Sequence, residues 1–417
     1  METVTPSEAE DIFATMLSCP EVKRALEFIR RDEARTLAEQ KAITVIPSPP
    51  FREQVRAHDY VKRLVALHFK SAGIDKEGNV IAVRPGTGNG PKLVVSAHLD
   101  TVFPEGTDIT LKEHDGKLYA PGIADDTRGL AEILTMIRAL NVTGLKTVGD
   151  IYFVGTVGEE GLGNLRGVKA LFRDHQDLDG FISIDGPQPG RIVYLAVGSR
   201  RYRVTFKGLG GHSFNDFGRP SAIHAMGRAI ARICDLRPPK QPKTTFTVGT
   251  VRGGTSVNAI AGEAVMEVDM RSAENPSLQN IEAEILKAIE EAVGEENVRW
   301  GREEISADIR LVGDRPAGVQ PPDAPIVQAA LLATRAVGLE PMLEEASSTD
   351  SNLPISLGIP AVTLARGGAS GNTHSLGEWF DPNDAYLGPQ RDLLTVLALV
   401  GVEGVTKPLL SKRMLKK

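Results

Sequence analysis

Five short stretches of this 417-residue chain each carry a histidine or a carboxylate at the end of an apolar run or a Gly-rich turn beyond one. His98 and Asp100 stand in SAHLDTV, Asp125 in PGIADDTRG, Glu159 and Glu160 in VGTVGEEGLG, Asp185 in ISIDG, and His374 in GNTHSLGEW. A His-x-Asp pair at such a point can bind a metal through the imidazole, with the carboxylate holding the other ring nitrogen and fixing its tautomer. Asp125 and Asp126 precede a helical pattern and could be N-caps. One aspartate suffices for that, which leaves a carboxylate for another task, such as bridging two cations. Glu159 and Glu160 repel each other unless a cation or proton is shared. The functional division of such a pair is one metal ligand and one general base. Each stretch alone has a plainer explanation: a turn histidine, a helix cap, two solvated loop glutamates. Together, two imidazoles and three carboxylates, one of them shared, can hold two divalent ions. Nitrogen and oxygen donors without thiolate suit Zn²⁺, Mn²⁺ or Co²⁺. Two such ions can bridge a water and lower its pKa toward ~7. A glutamate that takes its proton as it attacks a carbonyl completes the chemistry of amide hydrolysis.

These residues need elements that aim them at one place. KLVVSA (92–97), DIYFVGTV (150–157), GFISID (180–185) and PAVTLA read as buried strands, with NVIAVR (79–84) beside them. Helical periodicity covers 51–72, 126–140 and 164–175. Strand–helix–strand alternation implies an α/β fold with a mostly parallel or mixed sheet. Open α/β sheets bind ligands at the carboxyl ends of their strands, and all five segments fall there. The texture changes near Gly198. RYRVTFKG, the amphipathic SAIHAMGRAIARICDL, TTFTVGTVRGG, EAVMEVDMRS, a helix over 279–293 and a last strand NVRWGREEI read β-α-β-β-α-β. This is a ferredoxin-like α+β unit. After GDRPAGVQPPDAP the first texture resumes with a helix over 326–337, the strand PMLEEA, a short helix, PAVTLA and a long helix from about residue 384. The expected organisation is a catalytic domain over 1–197 and 314–417 with an inserted lid domain over 198–313.

Composition narrows the class. With 41% hydrophobic and 24% charged residues the chain is an ordinary globular one. A net charge of −6 does not suit general nucleic-acid binding, which needs a basic stripe. The basic cluster Lys412, Arg413, Lys416 and Lys417 reads as a frayed, solvated tail. Two cysteines, Cys19 and Cys234, cannot build a disulfide framework or a thiolate zinc site, which fits a reducing compartment. METVTPSEAEDIF has no basic n-region and no apolar h-region, so it is not a signal peptide. The longest apolar stretch, 393–402, is about half of the ~20 residues a membrane span needs and reads as a buried helix. The expectation is a soluble cytoplasmic protein with no membrane or nucleic-acid partner.

HLDTV, GIADDTRG, GEEGLG, SIDG, GHS, NAI and NTHSLGEW, in this order over about residues 45–385, resemble the two-zinc aminoacylase, glutamate carboxypeptidase and peptidase T metallopeptidase family. TVIPSPPFREQ and EEASSTDSNLPISLGIPAV look nearest its peptidase T-like branch. The resemblance implies a zinc-exopeptidase-type catalytic domain interrupted by a lid that often mediates a homodimer. It implies that His98, Asp125 and Asp185 hold one ion and Asp125, Glu160 and His374 the other. Asp125 would bridge the two and be followed by a cis peptide. Glu159 would be the general base, and Asp100 would orient His98. His212 in GLGGHSF would stabilise the oxyanion, and Asn258 and Arg271 would hold substrate. Arg271 suits a free α-carboxylate through bidentate pairing. Glu378, four residues after His374, would cap or anchor the His374 loop. One departure is Thr127-Arg128, where many members have Lys-Gly, which bears on how the helix packs below Asp125. The implied activity is hydrolysis of amide bonds in small peptides, of the aminopeptidase or tripeptidase kind, with two divalent ions. An N-acyl-amino-acid deacylase or carboxypeptidase stays open as an alternative, as does a catalytically silent binding protein on the same fold. His58, His68, His114, His175 and His224 read as core or surface residues.

Overall fold

Four apolar runs, Lys92–His98, Asp150–Thr156, Gly180–Ile184 and Ala361–Leu364, are buried along nearly their whole length. Strands covered on both faces read this way. In the computed structural model, which describes residues 6–344 and 347–414, they lie side by side. The order is Asp150–Thr156, Lys92–His98, Gly180–Ile184, Ala361–Leu364, and every neighbour pair is parallel. Val80–Arg84 and Gly73–Ile74 extend one side, and Arg191–Val193 and Met342–Glu344 the other. Val80–Arg84 and Arg191–Val193 run antiparallel to their inner neighbours, so the eight-stranded sheet is mixed. His98 faces Thr156 and Leu364 faces Ile184. Ser96 faces Ser183, so two residues further on His98 and Asp185 leave the sheet abreast. The parallel strands therefore end level with one another.

The helices Thr127–Thr143 and Leu387–Val400 are buried nearly all round and pack on the central strand Lys92–His98. Two helices at the start of the chain, Pro6–Ser18 and Pro20–Thr44, have no counterpart in the sequence reading. Pro20–Thr44 lies along Thr127–Thr143. A small antiparallel sheet of Ala369–Gly371, Trp379–Asp381, Lys117–Tyr119 and Lys112–His114 joins the approach to Asp125 to the strand after His374.

The chain divides into two compact units: one of the residues up to Ala196 and from Val319 onward, the other of Val197–Gly318. The second holds an antiparallel sheet in the order Thr244–Gly253, Glu263–Ser272, Gly198–Lys207, Ser306–Arg315. The helices Ala222–Asp235 and Asn275–Trp300 share a core with it around Phe206, Ala229, Ile233, Met266 and Ile285. This is the ferredoxin-like arrangement.

Several bounds differ from expectation. NVRW continues the helix to Trp300 instead of opening the last strand, because buried Glu296 pins the final turns by accepting from Ser221 N–H, Arg228 Nε and Trp300 Nε1. The strand begins at Ser306 and runs to Arg315, so this unit closes at Gly318, not at residue 313. The helix expected over 51–72 spans only Gln54–Ala66, since Phe51 (φ 67°) and His68 (φ 75°) are left-handed. Of PMLEEA, Met342–Glu344 form a strand while 345 and 346 lie outside the described residues. Of the basic tail, Lys416 and Lys417 lie outside them too. Arg413 is tied down rather than frayed, its N–H donating to Asp179 Oδ1 at 2.6 Å. No helix among the described residues is long and apolar enough to cross a membrane.

Candidate metal centre

His98 closes the central strand. Its backbone N–H donates to Asp126 Oδ2 (2.9 Å) and its Nδ1 to the backbone carbonyl of Asp100 (2.9 Å). Its Nε2 lies 3.0 Å from Asp125 Oδ1. The expected Asp100 carboxylate partner for Nδ1 is thus corrected to the Asp100 backbone oxygen; the carboxylate stays 3.7 Å away. That carboxylate is already engaged: Oδ1 accepts Glu159 N–H (3.1 Å) and Oδ2 accepts Glu160 N–H (2.8 Å). Fully buried, it fixes the turn that presents both glutamates.

The segment carrying Asp125 is held from outside. Glu378 accepts N–H bonds from Gly122 (3.0 Å), Ala124 (2.9 Å) and Asp125 (2.9 Å), and Gln40 Nε2 donates to Ile123 O (2.7 Å). Glu378 N–H also donates to Ser375 O (3.1 Å), so Glu378 ties the His374 loop to the Asp125 segment. Burial first, then the charge of Asp125, push its pKa up to about 7 against three backbone donors that oppose the rise. The Asp125–Asp126 peptide is cis. Asp126 precedes the helix Thr127–Thr143 yet makes no cap bond to it; its carboxylate serves His98 instead. The Thr127-Arg128 departure is accounted for here. Thr127 Oγ1 bonds the carbonyls of Gly122 and Ile123. Buried Arg128 pairs with Glu132 (2.7 Å), Glu33 (2.7 Å) and Ala385 O (2.8 Å).

These restraints bring the donor atoms together. His374, in the turn between Ala369–Gly371 and Trp379–Asp381, sets Nε2 2.8 Å from Glu160 Oε1 and 3.2 Å from Asp125 Oδ2. Ligand atoms of His98, Asp125 and Glu160 lie within 4.8 Å of one another, as do those of Asp125, Asp126 and Asp185. Asp125 belongs to both groups. Burial disfavours a charged His98, but its bond to Asp125 and the charges of Asp126, Asp125 and Asp100 hold its pKa well above the ordinary value. The bonds to Asp125 and Glu160 raise His374 to about 10. Burial would raise Asp125, yet Arg366, His374 and His98 hold it well below the usual carboxylate range. The donor set is imidazole and carboxylate, crowded and buried, and held together by protons and one arginine. Such a set fits divalent cations, which displace the imidazole protons.

Arg366 was not anticipated. Its Nη1 lies 2.8 Å from Asp125 Oδ1, 3.2 Å from Asp126 Oδ1 and 3.5 Å from Asp185 Oδ1. It follows the fourth parallel strand at its carboxyl end, the criterion that marked the acids. Glu159 is buried beside this centre and is fixed through Asp100.

In the second unit, His212 Nδ1 accepts N–H bonds from Phe214 (3.2 Å) and Asn215 (3.3 Å), so its hydrogen sits on Nε2. Asn258 is close by: its carbonyl accepts Ser213 N–H (3.0 Å), and its Oδ1 accepts Ser256 Oγ–H. Arg271 is not with them. It lies eight residues along the strand Glu263–Ser272 from the end adjoining them, about 26 Å of strand, and pairs with Asp269 (2.9 Å).

A sequence profile described as peptidase family M20/M25/M40 matches residues 94–391. Acetylornithine deacetylase of Klebsiella pneumoniae is 27% identical over 314 residues, 69% of this chain and 79% of its own. The crystal structure of aminopeptidase PepT from Bacillus cereus superposes with a TM-score of 0.70 at 24% identity, covering 87% of this chain and 98% of that one. A Bacillus subtilis protein described as a dinuclear metal-binding peptidase superposes at 0.64 with 18% identity, over 89% and 99%.

Proposed function

The chain belongs to peptidase family M20/M25/M40, and on that footing we propose that it is a two-metal exopeptidase acting on small peptides with a free N-terminus. The observation that carries the reading is the meeting of His98, Asp125, Glu160 and His374, from four separate segments, around shared oxygen and nitrogen atoms. His98, Asp125 and Asp185 would hold one ion, and Asp125, Glu160 and His374 the other, with Asp125 serving both. Zinc is the proposed metal, and manganese and cobalt suit the same donors. The ions, when bound, supply Lewis acidity toward the scissile carbonyl and a lowered pKa for the attacking water.

Glu159 takes the water's proton and returns it to the leaving amine. Asp100 keeps Glu159 and Glu160 in register by holding both backbone N–H groups. His212 offers its Nε2–H to the developing oxyanion and Asn258 engages substrate beside it, while Arg271, about 26 Å of strand away, engages substrate from the other subunit of the proposed homodimer. A homodimer through the inserted unit and a cytoplasmic setting belong to the same proposal, in keeping with two unpaired cysteines.

Glu159→Ala tests it. Turnover of di- and tripeptides should vanish while metal content, read by elemental analysis, stays near wild type; a variant at wild-type rate would remove Glu159 as the base. The likeness to acetylornithine deacetylase favours a second reading, so the panel includes N-acylated amino acids. Cleavage of those alone would make the chain a deacylase, and bound metal with no turnover of any amide would make it a silent binding protein.

A further inference from the structure

The two-metal reading leaves Arg366 unexplained, because a permanent cation stands on the oxygens assigned to one of the ions. Its root is firmly set. Arg366 N–H donates to Gly186 O (3.0 Å), Gly367 N–H donates to Glu132 Oε1 (2.8 Å), and the Ala365 carbonyl accepts from buried Arg391. A Cβ on Gly367 would sit 2.0 Å from Ala385 O, so the backbone has no room to shift. The head is different. Only Nη1 is engaged, by Asp125, Asp126 and Asp185 together. Nε and Nη2 are buried and have no hydrogen-bond partner among the described residues. A guanidinium serving as a strut uses its fork in paired bonds; this one leaves two nitrogens unused and holds its carboxylates by charge through a single atom.

The carboxylates explain why it is there. Asp125, Asp126 and Asp185 crowd together in a buried place and cannot all be ionised without a cation between them. Arginine does not give up its proton, so it remains while no metal is bound. The opposite side differs: Glu160 pairs with His374, and no lysine or arginine pairs with Glu160 among the described residues. Among the described residues, an ion entering by Glu160 and His374 meets no guanidinium on either residue. An ion entering by His98, Asp125 and Asp185 meets a guanidinium on the same Asp125 Oδ1.

We propose that Arg366 is a resident counter-cation that competes with metal for the Asp125–Asp185 side, so that the two ions load in unequal steps. The inference rests on the two-metal reading above. The first ion settles at Asp125, Glu160 and His374. The second requires the guanidinium to leave Asp125 Oδ1.

The test is calorimetric titration of metal-free protein with Zn²⁺, and separately Mn²⁺, against a competing chelator. Wild type should bind two ions in separate steps. In Arg366→Met the second step should tighten by roughly tenfold or more while the first moves by less than about threefold. Arg366→Lys, which keeps the charge, should keep the weak second step. The metal-free Arg366→Met protein should also melt below wild type, because its carboxylates have lost their partner. If it folds only with metal, chelator-driven release is read instead: wild type should lose one ion fast and one slowly, and the variant should lose the fast phase. A second step, or a fast release phase, unchanged in Arg366→Met would overturn the proposal and leave the two-metal reading standing. A single step of two equal ions in wild type would do the same. No ion bound by either protein would sink both.

Discussion

Glu160 donates its backbone N–H to Asp100 Oδ2 at 2.8 Å, while the other oxygen of the same carboxylate takes Glu159 N–H at 3.1 Å. A residue just past one parallel strand thus dictates how the loop after the neighbouring strand presents its two glutamates. The Asp100 backbone carbonyl meanwhile receives His98 Nδ1, so one residue orients three members of the centre through separate atoms.

Asp100→Ala removes the acceptor for two buried N–H groups. Each unsatisfied group costs ~1–3 kcal/mol, so a loss of about 2–6 kcal/mol is expected in urea unfolding of the metal-free protein. Asp100→Asn retains one acceptor oxygen and should lose about half as much. Both variants keep the backbone carbonyl that holds His98, so a smaller loss of metal affinity than of stability is expected.

Metal uptake should expel protons. His374 is raised to about 10 by its bonds to Asp125 and Glu160, so in the metal-free chain it carries its proton throughout the neutral range. A ligand must shed that proton to bind. Titration at pH 7.5 in buffers of different ionisation enthalpy should show at least about one proton released per chain. Affinity should weaken as the pH is lowered. Uptake without proton release would contradict the assignment of His374 as a ligand.

His98, Glu160 and Asp185 were legible because each closely follows an apolar run that forms a parallel strand. Asp125 and His374 instead arrive on segments joined to the small antiparallel sheet, so the expectation that all five leave parallel strand ends holds for three of them. The second-layer roles were not legible. Asp100 and Glu378 act through backbone N–H groups of other segments, and only the fold shows which segments come near. Arg366 occupies the same kind of strand-end position as Asp185, but a search for metal donors passes over a cation. The helix Pro20–Thr44 escaped because its buried face mixes Val22, Ala25 and Ile29 with Thr36, Gln40 and Thr44. Those polar residues are buried for specific partners, as when Gln40 holds Ile123 O, so hydrophobic periodicity fades along the helix.

Glu378 makes the metal-free protein sensitive to pH in a defined direction. Its folded value of about 7 lies above the ordinary 4.5. Between those values the folded chain binds more protons than the unfolded one, so stability falls as pH rises through that window. The upper limit of this contribution is about 3 kcal/mol. Glu378→Gln keeps one acceptor oxygen for the Asp125 segment and removes the titration. Denaturation midpoints between pH 4.5 and 7.5 should therefore vary less in the variant than in wild type. Metal loading should also flatten the wild-type curve, because an ion offsets the Asp125 charge that helps raise Glu378.

Gly129 lies in the first turn of the helix Thr127–Thr143, where alanine would ordinarily favour the helix by up to ~1 kcal/mol. A Cβ there would stand 2.6 Å from Asp126 Oδ1 and 2.8 Å from Ile184 O, the carbonyl that ends the neighbouring strand. Neither atom can retreat: Asp126 is tied to His98 N–H and to Arg366, and Ile184 belongs to the sheet. Overpacking of this kind costs ~1–3 kcal/mol, so Gly129→Ala should destabilise the fold and loosen metal binding by shifting Asp126. Gly294, exposed in the helix Asn275–Trp300, has nothing within 4 Å of its Cβ position. Gly294→Ala should therefore stabilise by ~0.5–1 kcal/mol. Thermal melts of the two variants should move in opposite directions. A Gly129→Ala protein that gained stability would show that the approach of helix to strand end does not constrain the Asp126 carboxylate.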